Sequence, residues 1–276
     1  SPAIMQQLEE FLEMVRDPLA VRSSSLLEDS QYQPFAGVYE TYMIPNADQD
    51  RAVRLRELVD AVKRVYASTF SRRAKNYIKV TSYRLEEEKM AVIVQKMVGG
   101  RHGSRYYPNF AGVARSHNFY PSPPQKSSDG IVSVALGLGK TVVEGGASVR
   151  FCPKFPGHLQ QFSSTDDALA NHQHEFFALD MEAAPGDAPG AGAIWEDISV
   201  RKYPLSVAEE DGTLRYVGST YSAQNDAIYD GLARSGTRLV TFAPLLKNKL
   251  LPLPEILNDL LSAASAGVGT AVEMEF

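Results

Sequence analysis

The segment from Met90 to Val98 constrains the fold most strongly, because nearly all of its residues are apolar and several are β-branched. Such a run is typical of a strand that is buried on both faces. An amphipathic helix precedes it, with apolar residues at helical spacing from Val53 to Tyr66 and with Arg54 on its polar face. Strands and helices are therefore intermixed, with many non-helical connections. This pattern predicts an α+β or mixed α/β fold rather than a doubly wound parallel sheet.

Composition excludes several functional classes. The chain has 276 residues, enough for one large domain or two lobes, and its net charge of −5 argues against nucleic acid as a main partner. No stretch approaches the roughly 18 apolar residues of a membrane span, so no membrane partner is expected. The single cysteine, Cys152, suits a reducing compartment and predicts a cytoplasmic location. Because the chain opens with Ser1 and stops at Phe276 inside a predicted strand, we expect it to be a fragment of a longer protein.

A first candidate site for polyphosphate surrounds Arg22, which lies in a predicted short strand and is followed by three serines. A guanidinium group binds phosphate oxygens in pairs, and hydroxyl groups add further donors. Gly37 would allow a close approach of the backbone, and Thr41 adds another hydroxyl. The residues alone leave an alternative equally open: a surface ion pair of Arg22 with Glu28 or Asp29, next to a turn that merely requires glycine.

A second candidate site consists of Glu273 and Glu275 on a strand predicted from 270 to 276. Residues two apart on a strand point to the same side, so the two carboxylates could hold Mg²⁺ beside substrate phosphates. The alternative is an ordinary half-buried strand, in which Met274 and Phe276 face the core and both glutamates face water. Spacing alone favours that alternative.

Two other sequence patterns do not predict a functional site. The glycine-rich segment Gly137–Thr141 resembles a P-loop, but Val134 stands where the first glycine of that motif belongs. Val142 likewise excludes a dinucleotide-binding motif. His172 and His174 could share one face of a strand, but no third metal ligand accompanies them.

Several segments together resemble the nucleotide-binding domain of the phosphoenolpyruvate synthase and pyruvate phosphate dikinase family. Similarity is continuous over roughly residues 18 to 146, and the acidic strand is an isolated final match. The segments that carry the resemblance are Leu19–Ser24, Glu28-Asp29, Phe35–Gly37 with Glu40-Thr41, Ala91–Val98, Ala111–Val113, Gly137–Gly139 with Val142-Val143 and Gly145, and Val272–Phe276.

The resemblance implies an ATP-grasp fold, in which two mixed α/β lobes hold Mg-ATP between them. The first lobe would comprise residues 1–98 and the second residues 99–276, with a divergent region at 147–270. By the same resemblance, Arg22, Gly37 and Thr41 would line the polyphosphate pocket. Gln95 would lie near adenine at the hinge between the lobes. Glu275, assisted by Glu273, would bind Mg²⁺, which reverses the preference from spacing alone.

The resemblance also implies a reaction. Family members transfer the β-phosphate of ATP to a carrier histidine on a separate domain, giving AMP and phosphate, and a third domain binds the acceptor. This chain contains neither a carrier-histidine motif nor acceptor residues, so we expect those partners in the same longer protein. The lysine and glutamine that the family uses on ATP have no counterpart in this sequence, so we expect the isolated fragment to bind ATP weakly and to turn over nothing. A phosphoenolpyruvate synthase, or pyruvate, water dikinase, is the first choice. Pyruvate phosphate dikinase, rifampicin phosphotransferase and glucan water dikinase are alternatives.

Two departures from the family pattern leave a further alternative open. Lys140 stands where relatives carry an acidic residue, and Arg115 begins a segment that replaces the usual Phe-Thr. Both changes favour a degenerate or regulatory nucleotide-binding module.

Overall fold

The structure is a computed structural model that describes residues 2–25, 28, 38–79, 89–183 and 199–276. The chain divides into two compact units. Unit 1 comprises residues 1–98, 103–106 and 179–201, and unit 2 comprises residues 99–102, 107–178 and 202–276. Within the described ranges, no helix is both long and apolar enough to cross a membrane.

Unit 1 contains a three-stranded antiparallel sheet covered on one face by helices. Its helices are α1 (Pro2–Met14), α2 (Arg51–Ser68) and α3 (Arg72–Lys79). Its strands β1 (Leu19–Ser25), β2 (Thr41–Ile44) and β3 (Met90–Lys96) follow the order β2-β1-β3. Helix α2 begins where the Asp50 side chain accepts a hydrogen bond from the backbone N–H of Ala52, which satisfies one of the exposed N–H groups of the first turn.

The two faces of this sheet differ in burial. Leu19 and Val21 of β1 are fully buried in a core formed with α1 and α2. Strand β3 was predicted to be buried on both faces, and this prediction is wrong. Its residues alternate between half-buried and exposed, and Ile93 is 44% exposed. Val92 and Val94 pack against the helix-covered core, so the apolar run supplies one buried face and one open face.

Arg54 was assigned to the polar face of α2, and this assignment is also wrong. The side chain is fully buried, and its Nη1 donates hydrogen bonds to the Leu12 carbonyl at 3.0 Å and to Asn46 Oδ1 at 3.2 Å. Burial lowers the pKa of Arg54, and the nearby charges of Arg16 and Arg51 lower it further. The guanidinium lies at the carboxyl end of α1, where a positive charge is favourable and helical carbonyl groups need partners.

Unit 2 contains a four-stranded antiparallel sheet that joins distant parts of the sequence. Its strands are β6 (Ala111–Arg115), β7 (Ile131–Ala135), β8 (Val149–Phe151) and β14 (Glu273–Glu275), in the order β14-β6-β7-β8. Strand β14 therefore lies at one edge and pairs with β6, more than 150 residues earlier in the chain. The short helix α4 (Lys140–Val143) follows β7.

The rest of the chain adds two further sheets and several helices. Strands β4 (Gly100–His102), β5 (Arg105–Tyr107), β9 (Glu175–Asp180) and β10 (Val200–Pro204) follow the order β10-β9-β5-β4. Strands β11 (Gly218–Ser222), β12 (Ala227–Asp230) and β13 (Thr237–Val240) follow the order β12-β11-β13. The remaining helices are α5 (Thr165–Asn171), α6 (Leu205–Glu210), α7 (Ala243–Leu246) and α8 (Leu253–Val268). Helices intermixed with antiparallel sheets confirm the predicted α+β class.

Candidate functional site

Two of the predicted phosphate-binding residues are neighbours on the open face of sheet β2-β1-β3. Arg22 of β1 is directly opposite Thr41 of β2. Directly opposed residues in an antiparallel pair point to the same side, with Cα atoms about 4.5–5.5 Å apart. Gln95 of β3 is opposite Ala20, so it lies on the same face as Arg22 and two residues further along the sheet. This face carries a guanidinium, a hydroxyl and an amide.

The serines after Arg22 are divided between the two faces. Ser23 and Ser25 are buried on the opposite face, with exposed fractions of 9% and 5%. Ser23 Oγ donates a 2.7 Å hydrogen bond to Glu28 Oε1, and the backbone N–H of Glu28 donates to Ser25 Oγ at 3.3 Å. Only Ser24 shares the face of Arg22. Gly37, the other predicted phosphate-binding residue, lies outside the described residues.

The acidic residues Glu273 and Glu275 are both exposed on one face of β14, while Met274 between them is half-buried. Glu273 is opposite Arg115 of β6, and Arg115 Nε donates to Glu273 Oε2 at 2.5 Å. Glu275 is opposite Val113. No group of three or more His, Cys, Asp or Glu side chains in the described ranges is arranged to hold a metal ion. A pair of carboxylates nevertheless fits Mg²⁺, which commonly takes one or two carboxylates and completes its shell with water and substrate phosphates.

The comparison with known proteins identifies the family. Residues 1–158, more than half of the chain, match the AMP/ATP-binding domain of pyruvate phosphate dikinase. The chain belongs to this family. The predicted resemblance is thereby confirmed for its continuous part, residues 18 to 146. The acidic strand lies beyond the matched residues and stays a prediction.

Three relatives show how the chain relates to longer enzymes. It is 35% identical over 133 residues to the phosphoenolpyruvate synthase of Aeropyrum pernix, covering 48% of this chain and 14% of the relative. It is 33% identical over 127 residues to a probable phosphoenolpyruvate synthase of Archaeoglobus fulgidus, covering 46% and 14%. It is 27% identical over 128 residues to the rifampicin phosphotransferase of Bacillus cereus, covering 46% and 12%. The aligned part thus spans less than one sixth of the length of each of these relatives.

Packing between β6 and β14 connects two segments of the family resemblance. The backbone N–H of Gly112 donates to the Phe276 carbonyl at 2.9 Å, and the N–H of Phe276 donates back to the Gly112 carbonyl at 3.0 Å. A Cβ atom at position 112 would lie 2.5 Å from both Phe276 Cζ and the backbone carbonyl oxygen of Ser133. Glycine is therefore required in the Ala-Gly-Val segment so that Phe276 can pack beside it. This contact holds the acidic strand in register.

The glycine-rich segment after β7 is held by a side chain that the sequence did not single out. Gln173 Oε1 accepts from the backbone N–H of Leu136 at 2.8 Å, and Gln173 Nε2 donates to the Leu136 carbonyl at 2.9 Å. Leu138 N–H donates to the Phe177 carbonyl, and a Cβ atom at Gly137 would lie 2.6 Å from that same oxygen. The segment is therefore a turn that packs against β9. A glutamine in a polar stretch gives no signal of such a role.

The two histidines flanking Gln173 are in ring contact, with centroids 4.0 Å apart. His172 is buried and its Nδ1 lies 2.8 Å from the Gln173 carbonyl oxygen, while His174 is exposed. Burial lowers the pKa of His172, and the neighbouring His174 lowers it further. Lys140 has its Nζ 3.5 Å from Glu144 Oε1 and 5.5 Å from the Phe177 ring centroid. These groups belong to the support of the glycine-rich turn.

Proposed function

We propose that this chain is the Mg-ATP-binding part of a phosphoenolpyruvate synthase-like dikinase. Membership of an AMP/ATP-binding family supports the nucleotide. The observation that carries the proposal for this chain is the direct pairing of Arg22 with Thr41, with Gln95 on the same open face. Arg22 would contact the polyphosphate, Thr41 would add a hydroxyl donor, and Gln95 would lie toward the base. Gly37 belongs to the same proposed pocket.

Glu275 and Glu273 are the proposed Mg²⁺ ligands within an ATP-grasp arrangement of two lobes. The bound ion would neutralise charge on the phosphates. Glu275 is the principal ligand in this proposal, as the family resemblance implies, and Glu273, which is paired with Arg115, assists it. Both side chains point to the same side of β14, so one ion could reach both carboxylates.

The proposed reaction is transfer of the β-phosphate of ATP to a carrier histidine, which leaves AMP and phosphate. In-line phosphoryl transfer depends mainly on positioning and charge stabilisation, and these are the tasks that Arg22 and the two glutamates would perform. The carrier domain, the acceptor domain and a cytoplasmic location are parts of this proposal. Support for the larger assembly comes from the relatives, of which the aligned part spans only 12% to 14%.

The first experiment tests the nucleotide site. We expect Arg22→Ala to weaken ATP binding by about 1.5–3 kcal/mol, the range of a hydrogen bond to a charged group. Calorimetric titration of ATP into both proteins measures this difference. Arg73→Ala is the matched control, because Arg73 is an exposed arginine on α3 of the same unit. A loss of only a few tenths of a kcal/mol in Arg22→Ala would remove Arg22 from the site.

A product assay on the longer protein tests the reaction. Incubation with Mg-ATP and pyruvate should give AMP, phosphate and phosphoenolpyruvate, resolved by chromatography. AMP formation that does not depend on pyruvate would keep the dikinase chemistry and assign another acceptor, such as phosphate, a glucan or rifampicin. Steady conversion of ATP to AMP by the 276-residue chain alone would contradict the expected need for other domains.

A regulatory or degenerate nucleotide-binding module is the second candidate function. The ion pair between Arg115 and Glu273 favours it, since the arginine occupies a carboxylate that the metal would use. Glu275→Gln separates the two functions. Weaker Mg-ATP binding in that variant supports the dikinase site, and unchanged binding supports the regulatory module.

A further inference from the structure

A polar cleft of about 630 Å³ lies in unit 2 beside strands β7 and β8. Arg150 is the one charged residue among those that line it in the described part of the chain, and no lining residue is acidic. The other lining residues are Ser133, Val142, Gly145, Gly146, Ala147, Ser148, Gln161, Ala170 and Asn171. This volume suits a small organic ligand, and the charge suits an anion.

The guanidinium of Arg150 is available to a ligand. It makes no ion pair or hydrogen bond with any residue of the described ranges, in contrast to Arg115 on the same sheet, which is paired with Glu273. Ser133 is directly opposite Arg150 across β7 and β8, so its hydroxyl lies on the same face as the guanidinium. Arginine and an adjacent hydroxyl are a suitable pair of donors for an oxyanion.

The backbone around Arg150 is fixed by hydrogen bonds with the side chain of Gln161. Gln161 Oε1 accepts from the backbone N–H of Arg150 at 3.1 Å, and Gln161 Nε2 donates to the Ser148 carbonyl at 3.0 Å. Through these two contacts, the Gln161 side chain pairs with backbone groups at the outer edge of the sheet, where β8 has no further strand beside it in the described part of the chain. Among the other lining residues, a Cβ atom at Gly145 would meet nothing within 4 Å, so the lining leaves space at that position. The backbone that carries Arg150 is therefore fixed by Gln161, and the cleft is open at Gly145.

The position of the cleft relates it to the acidic strand. Glu275, Val113, Ser133 and Arg150 are opposed in turn across β14, β6, β7 and β8. They form one row on one face of the sheet, and three strand spacings separate the Cα atoms of Glu275 and Arg150 by about 14 Å. The cleft is therefore distinct from the proposed metal ligands while sharing their face.

We propose that this cleft is a second anion site, which takes a small molecule bearing a phosphate or a carboxylate group. Arg150 binds the oxyanion, and Ser133 and Asn171 supply neutral donors. The site does not depend on Arg22, so it stands whether or not the proposed dikinase function is correct.

Thermal unfolding of the 276-residue chain at rising anion concentration tests this site, because a ligand that binds the folded state raises the Tm. Inorganic phosphate and acetate are the probes, and chloride at matched ionic strength corrects for screening. We expect Arg150→Gln to weaken the phosphate response about tenfold. Arg150→Lys should retain part of it, and Arg73→Gln should retain all of it. A response to phosphate alone would identify a phosphate ligand, and a response to acetate as well would include carboxylates.

The same titration in an Arg22→Ala background separates this site from the nucleotide site. The Arg150-dependent response should persist there, even if ATP binding is lost. Equal phosphate responses of the unmodified chain and Arg150→Gln would overturn the proposal. A phosphate and acetate response no larger than that of chloride would overturn it as well. Circular dichroism of each variant confirms that folding is retained.

Discussion

Sheet β2-β1-β3 of unit 1 and sheet β14-β6-β7-β8 of unit 2 each bury one face and leave the other more exposed, but the exposed faces differ in charge. The first carries Arg22, Thr41 and Gln95, with no acidic residue among its paired positions. The second carries Glu273 and Glu275 together with Arg115 and Arg150. The first face therefore suits a polyanion directly, whereas the second suits a polyanion only through a bound cation or at its basic edge.

The two units also differ in the side chains that stabilise the segments next to their sheets. In unit 1, Arg54 and Asn46 satisfy carbonyl groups at the end of α1, and a guanidinium stays charged at any ordinary pH. In unit 2, the turn after β7 depends on Gln173, which lies between two histidines, and β14 depends on the contact of Phe276 with Gly112. Unit 2 should therefore be the more sensitive to small changes in packing and in pH.

The largest expected effect comes from Gly112→Ala. The new Cβ atom would lie 2.5 Å from the Ser133 carbonyl oxygen, which is backbone, and from the Phe276 ring. Overpacking of this kind costs about 1–3 kcal/mol, and we expect the free energy of unfolding to fall by that amount. Urea unfolding measures it.

The matched control for that prediction is Gly139→Ala. Its Cβ atom would meet only Ala111 Cβ at 3.7 Å, which is ordinary contact, and Gly139 has a φ of −59°. This variant should change stability by less than about 0.5 kcal/mol. Equal losses in the two variants would show that Phe276 does not hold β14 against β6.

The contrast between the sheets also shows what the sequence could predict. Local patterns were sufficient for α2 and β1, because each pattern is short and its burial is set by near neighbours. The segment from Met90 to Val98 was correctly predicted as a strand but with the wrong burial, since an apolar run does not reveal that the helices cover only one face. The prediction that Arg54 is exposed was wrong for a related reason. Its partners Leu12 and Asn46 come from other elements, and helical spacing alone placed the side chain toward solvent.

The candidate site could be predicted only in part. The pairing of Arg22 with Thr41 agrees with a shared location, and β14 was predicted as a strand. The partners of Glu273 and Phe276 come from residues more than 150 positions earlier, and no local pattern specifies them. The roles of Gln173 and Gln161 depend on single side chains that pair with backbone groups of other segments. Such contacts are visible only once the tertiary structure is known.

An intermediate effect is expected from pH, through His172. Its pKa is lowered in the folded state by burial and by His174, relative to the usual value of about 6.5. Between the two values the unfolded chain binds more protons, so stability rises with pH. The stabilisation is complete above about pH 6.5 and is lost as the pH falls through the folded value. Urea unfolding at several pH values from 8 to 5 measures this slope.

His172→Gln should flatten that slope, because the variant has no group to protonate at this position. His117→Gln is the control, since His117 is exposed in the same unit. If the unmodified chain and His172→Gln lose stability in parallel on acidification, the pH sensitivity of unit 2 has another origin.

The smallest expected effect concerns the charge difference itself, through Arg115→Ala. This change removes the partner of Glu273 and leaves the Glu273 carboxylate available to a cation. Both side chains of the ion pair are about half exposed, and pairs of that kind are worth about 0.2–1 kcal/mol. Titration with Mn²⁺ as a probe of the Mg²⁺ site should therefore show binding up to about fivefold tighter. Arg150→Ala removes the same charge from the same sheet without breaking the pair, and it should have a smaller effect.

Equal gains in affinity in the two variants would mean that net charge alone controls the site. No gain in Arg115→Ala would mean that Glu273 does not bind the ion, and Glu275 would then be the remaining acidic ligand on β14.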